Sequence, residues 1–205
     1  EINLGTSGGQ GTLTATGGIT IRSGQTLAGY GTVEGNTTIA SGATLAPGNS
    51  PGIINIAGDL TLKSGSTSIF EVVGSGIAGA AFDQVSVTGV LTYGGVLNLA
   101  IAGNYSATAP FKGLLFDIQS GSQTGAFSQV QYKLNTGVWK DLYYYSDINT
   151  WQMWDNTAIA NLADNGYVGI NLNTGVLTVV PEPSTWALVV GGVSTLVILR
   201  RRKRS

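Results

Sequence analysis

The residues best placed to do chemistry are carboxylates lying among aromatic rings. Asp141, Asp147 and Asp155 are interleaved with Trp139, Tyr143, Tyr144, Tyr145, Trp151 and Trp154, and Lys140 stands beside them. Flat rings stack on the apolar faces of sugars, indole and phenol edges hydrogen-bond, and paired carboxylates serve as acid and base in glycoside hydrolysis. One reading of the segment is thus a polysaccharide-active site. The same rings also suit a glycan or protein contact surface without turnover, or a cap over the open end of a stacked body. Of the other carboxylates, Glu34, Asp59, Glu71 and Asp83 are scattered along the chain and read as solvated or locally hydrogen-bonded groups.

Composition removes many reactions at once. Cysteine and histidine are both absent from the 205 residues, which excludes a disulfide framework, thiolate and imidazole metal ligands, a cysteine nucleophile and a histidine base. The sequence also lacks a dinucleotide fingerprint before a helix and the phosphate loop. No catalytic residue, cofactor or metal is assigned, and the chain is expected not to be an enzyme. Five of its ten cations occupy Arg200 to Arg204, so everything before them carries five cations against eleven acids, a net charge of −6. Such a body offers no basic face for nucleic acid.

The elements that would position these groups are strands. With 31 glycines and many threonines, serines and branched aliphatics, the composition is that of strands and turns. "ITIRSGQTL" at Ile19, "TTIASGATL" at Thr37 and "LTLKSGSTS" at Leu60 repeat one unit, with Ser-Gly pairs at Ser23, Ser41 and Ser64 lying 18 and 23 residues apart. Alternation at Ile19 and Ile21, Ile54 and Ile56, and Leu60 and Leu62 has the period of two that strands require. The spacing predicts an all-β fold, a right-handed parallel β-helix over residues 1–180, with an aromatic-rich insertion or cap near 139–154. An antiparallel sandwich is the competing arrangement. "LAPGNSPGIINIAGDLTL" reads as a compact corner built by Pro47, Gly48, Pro51 and Gly52. Leu114 to Ile118 reads as a further apolar strand.

Residues 181–205 are of another kind. Pro181, Glu182 and Pro183 form a restricted spacer, and the 14 residues from Trp186 to Leu199 include only Ser194 and Thr195 as polar members. As a helix this run is about 21 Å long, a short single membrane span. Trp186 would lie at one interface while Arg200 and Arg201 snorkel at the other, with the basic end cytoplasmic.

"PEPSTWALVVGGVSTLVILRRRKRS" resembles the PEP-CTERM protein-sorting signal, with motif, span and basic tail in the same order. The resemblance implies an exported protein of a Gram-negative bacterium, held briefly in the inner membrane, processed by an exosortase-type enzyme at Pro181-Glu182-Pro183, and delivered to the surface or extracellular matrix. The body, over roughly Gly17 to Leu99, resembles autotransporter-associated β-helix repeats. Together these resemblances imply a structural or adhesive protein associated with exopolysaccharide or biofilm. A polysaccharide-active β-helix enzyme is the alternative.

Overall fold

The computed structural model describes residues 1–48, 51–74, 76–102, 111–134, 137–145, 150–152 and 167–180, with backbone alone for Phe111, Tyr144, Tyr145, Thr150, Trp151, Gln152, Tyr167 and Val180. Every regular element among them is a strand. The fold is all-β, and most of its strands lie in three parallel sheets.

The first sheet runs Ile2–Asn3, Thr26–Gly29, Thr44–Pro47, Thr67–Val72, Val96–Ile101 and Gln129–Leu134, with Lys140–Asp141 added antiparallel at the end. In the second sheet, Gly9–Thr14, Gly31–Glu34, Ile53–Ala57, Gln84–Val87 and Phe116–Ile118 lie side by side. The third holds Ile19–Ile21, Thr37–Ile39, Leu60–Leu62, Leu91–Tyr93 and Gln123–Gly125. From Thr26 to Gln129 the chain visits the first, second and third sheets in rotation, with Phe111–Leu114 alone among the described strands falling outside them, so each strand of these sheets pairs with its counterpart one circuit earlier. Parallel pairing requires long connections between neighbours, and here the other two sheets supply them. This topology is compatible with a parallel β-helix and excludes an antiparallel sandwich for the body.

Stacking places like residues on like. Leu27, Leu45, Ser68, Leu97 and Val130 are in register on the inner face of the first sheet, followed by Phe70, Leu99 and Tyr132. In the second sheet Leu13, Val33, Ile56, Val87 and Ile118 align in the same way. Thr67–Val72 shows the alternation directly, with Ser68, Phe70 and Val72 buried while the residues between them are half-buried. The circuits lengthen along the stack: Thr26 pairs with Thr44, Thr44 with Thr67, Thr67 with Val96 and Val96 with Gln129. Aromatic rings cluster in the core of the longer circuits. Phe70 and Phe116 lie 4.8 Å apart, Tyr93 meets Phe116 edge-on at 5.3 Å, and Phe127 stands 5.1 Å from Tyr93.

The repeated Ser-Gly pairs form the turns between the third and first sheets. The amides of Gln25, Ala43 and Ser66 donate to the carbonyls of Arg22, Ala40 and Lys63, closing a four-residue turn each time. Gly42 has φ +74°, the left-handed region a type II turn demands at its third position. A Cβ there would sit 2.4 Å from Ser23 Oγ of the circuit below, so the turns stack because that side of the chain is bare.

Near Phe111 the arrangement changes. The stretch expected as one strand from Leu114 to Ile118 divides at Leu115. Phe111–Leu114 joins an antiparallel sheet, while Phe116–Ile118 completes the second parallel sheet. Alternation of side chains is the same in both partnerships, so nothing local marks the switch. The antiparallel sheet continues through Val176–Val180, Tyr167–Asn171, Thr150–Gln152 and Tyr143–Tyr145. Val168, Ile170, Leu172, Leu177 and Val179 are buried in the common apolar core. Tyr93 Oη donates to Leu172 O at 3.3 Å and Gln123 Nε2 to Asn173 O at 3.2 Å, which docks this sheet on the last circuit.

Candidate functional site

The last parallel strand, Gln129–Leu134, has the sequence QVQYKL, and its alternation decides what faces outward. Val130 and Tyr132 are buried, so Gln129, Gln131 and Lys133 project from the opposite face. After Leu134 the chain folds back, and Lys140–Asp141 pairs antiparallel with Gln131 and Tyr132. Leu142 anchors the return: its side chain is buried and its amide donates to Val130 O at 2.8 Å. This return brings Asp141 over the strand, where one carboxylate oxygen accepts hydrogen bonds from Gln129 Nε2 and Gln131 Nε2, both at 2.8 Å. Lys133 Nζ lies 4.8 Å from the centre of the Trp139 ring, a cation–π contact that steadies the indole.

Trp139 is 39% exposed and Tyr143 59% exposed, so both rings present area to solvent. The result is an outward surface with two rings, an amide–carboxylate–amide relay and a lysine. Such a surface can stack on apolar sugar faces and hydrogen-bond hydroxyl groups, forming no covalent bond.

The remaining sequence-predicted residues divide by position. Tyr144 and Trp151 are backbone partners in adjacent antiparallel strands, and Tyr145 pairs with Thr150. Trp154, Asp147 and Asp155 lie outside the described residues, as do Pro181, Glu182, Pro183, Trp186, Arg200 and Arg201. Glu34 accepts a bond from Thr14 Oγ1 at 2.8 Å, and Asp59 from the Val90 amide at 2.8 Å, so both are held at separate corners. Gln129 and Gln131 were not singled out from sequence, although the alternation of QVQYKL carries the signal that they face outward.

One juxtaposition could not be read from the sequence. Glu71, in the first sheet, and Asp83, before the second-sheet strand Gln84–Val87, line a hollow of about 350 Å³ with Ala28, Ala46, Pro47 and Ile69. Asp83 is only 1% exposed. Its Oδ1 accepts the Gly52 amide and its Oδ2 the Glu71 amide, each at 2.7 Å. Burial pushes its carboxyl up to about 7, against the lowering effect of those two bonds and with help from the nearby Glu71 charge.

Among the described residues no helix is long and apolar enough to cross a membrane. Comparison of the chain with protein-family models, curated proteins and solved structures gave no match in any of the three.

Proposed function

We propose that this chain is an exported structural or adhesive protein that contacts extracellular polysaccharide without turning it over. Its body is a right-handed parallel β-helix, and residues 181–205 direct its sorting. The observation that carries the contact is the surface formed by Trp139 and Tyr143 beside the Gln129–Asp141–Gln131 relay. Rings offer area to a sugar face at small entropic cost, and amides already fixed by a carboxylate lose little freedom when they meet hydroxyls. Many weak contacts of this kind, displayed on several copies in a matrix, add up to firm retention.

The sorting proposal rests on the order of Pro181-Glu182-Pro183, the apolar run from Trp186 and the basic residues from Arg200. The partners are then an exosortase-type processing enzyme and, before cleavage, the inner membrane. The destination is the cell surface or matrix.

Affinity electrophoresis of the full chain through gels carrying neutral or acidic polysaccharides tests the contact. The double variant Trp139→Ala, Tyr143→Ala is expected to lose about tenfold in affinity, near 1.4 kcal/mol. Equal retardation of variant and native chain in every gel would sink the reading. Sorting is tested by the mass of the mature C-terminus and by cell fractionation. Replacing Pro181-Glu182-Pro183 with alanines is expected to leave the tail uncut and the protein in the membrane fraction.

A further inference from the structure

Asp83 and Gln84 join two circuits through four hydrogen bonds, two of them accepted by the Asp83 carboxylate. Oδ1 accepts the Gly52 amide at the head of the second-sheet strand Ile53–Ala57, and Oδ2 accepts the Glu71 amide within the first-sheet strand Thr67–Val72. The backbone reinforces both ends, because the Asp83 amide donates to Glu71 O and the Gln84 amide to Gly52 O, each at 2.9 Å. A Cβ on Gly48 would stand 2.7 Å from Asp83 Oδ1, so the bare glycine is what lets the carboxylate approach Gly52.

We infer that Asp83 is a proton-operated clasp: ionised, it ties Gly52 to the first sheet, and protonated, it releases the Gly52 amide. The reason lies in the acceptor count. A carboxylate serves two amides with two equivalent oxygens, whereas a neutral acid keeps one good acceptor and turns the other oxygen into a donor. The amide of Glu71 is the one retained, because Glu71 is held inside the paired strand Thr67–Val72, whereas Gly52 lies just ahead of Ile53–Ala57. Gly52, 31 residues away, is the one let go.

The groups acting on the clasp are few among the described residues. Glu71 is the charged group that shares the hollow, and its charge opposes ionisation of Asp83. Burial opposes it more strongly, and the two amides favour it, which leaves the midpoint near neutrality. An exported body that meets pH values on both sides of that midpoint would tighten or loosen this join in response.

Amide resonances of the full chain between pH 5 and 9 test the inference. The Gly52 and Glu71 amides are expected to shift with one common midpoint near 7. Protection of Gly52 from hydrogen exchange, corrected for intrinsic rates, is expected to fall about tenfold below it. Asp83→Asn should abolish the shared titration and leave Gly52 weakly protected throughout. Glu71→Gln keeps the backbone partner and removes the like charge, so it should lower the midpoint while leaving the titration visible. If Asp83→Asn does not fold, the native chain and Glu71→Gln carry the test. A Gly52 amide that stays flat over this range, or one that titrates near 4, would overturn the clasp.

Discussion

Ser68 shows how one atom can stand against its surroundings. It lies in register between Leu45 and Leu97, fully buried, and its hydroxyl has no hydrogen-bond partner among the described residues. An unpaired buried hydroxyl costs more than a methyl of similar size would, so Ser68→Ala is expected to raise unfolding stability by about 1 kcal/mol in urea titration. Gly42 is the opposite case, a position where adding an atom does harm. Its φ of +74° and the nearby Ser23 Oγ make Gly42→Ala expected to cost about 1–2 kcal/mol, visible as a lower urea midpoint with an unchanged slope. The Ser-Gly pairs announced these turns in the sequence, because a turn is made by four neighbouring residues. The unpaired Ser68 hydroxyl was illegible, since its neighbours come from other circuits.

At the scale of elements, strands were legible and their partners less so. The alternation around Ile54, Leu60 and Leu97 depends on near neighbours, and each of these residues is buried on the inner face of its strand. Partner choice depends on where the chain returns, which explains why Leu114 to Ile118 looked like one strand and divides between two sheets. The last parallel strand carries the proposed contact through Gln129 and Gln131. Replacing both with alanine removes the donors that fix Asp141, and polysaccharide affinity is expected to drop about threefold to tenfold in the same gels. Both side chains lie on the outer face, so the melting temperature should move by only a few degrees.

For the whole molecule, the buried Asp83 makes stability depend on pH with a definite sign. Its folded-state value of about 7 lies above the 3.8 of an unperturbed group, so between these the folded chain holds a proton that the unfolded chain has released. Its contribution is fully present below about pH 4 and is lost as pH rises through 7. The full difference is about 4 kcal/mol. Denaturant unfolding at pH 5 and pH 8, compared with Asp83→Asn, should show this decline in the native chain and remove most of it in the variant. Local and global effects thus run in opposite directions: ionisation tightens the join at Gly52 yet makes the body easier to unfold, because a charge is then held away from water.

The sequence by itself determined the strand class, the repeated turns and the three-part order of residues 181–205. Each of these is written in residue types a few positions apart, where alternation, backbone freedom and hydropathy act directly. Only the tertiary structure decided that three parallel sheets take the strands in rotation, that Trp139 and Tyr143 keep ring area in solvent, and that Asp141 is held by two glutamines. It alone brought Glu71 and Asp83 to one hollow and the Gly52 amide to the Asp83 carboxylate. Those outcomes depend on partners 10 to 31 residues away, set by where the chain turns back and where it returns, and what burial does to a carboxyl is set by the walls that arrive there.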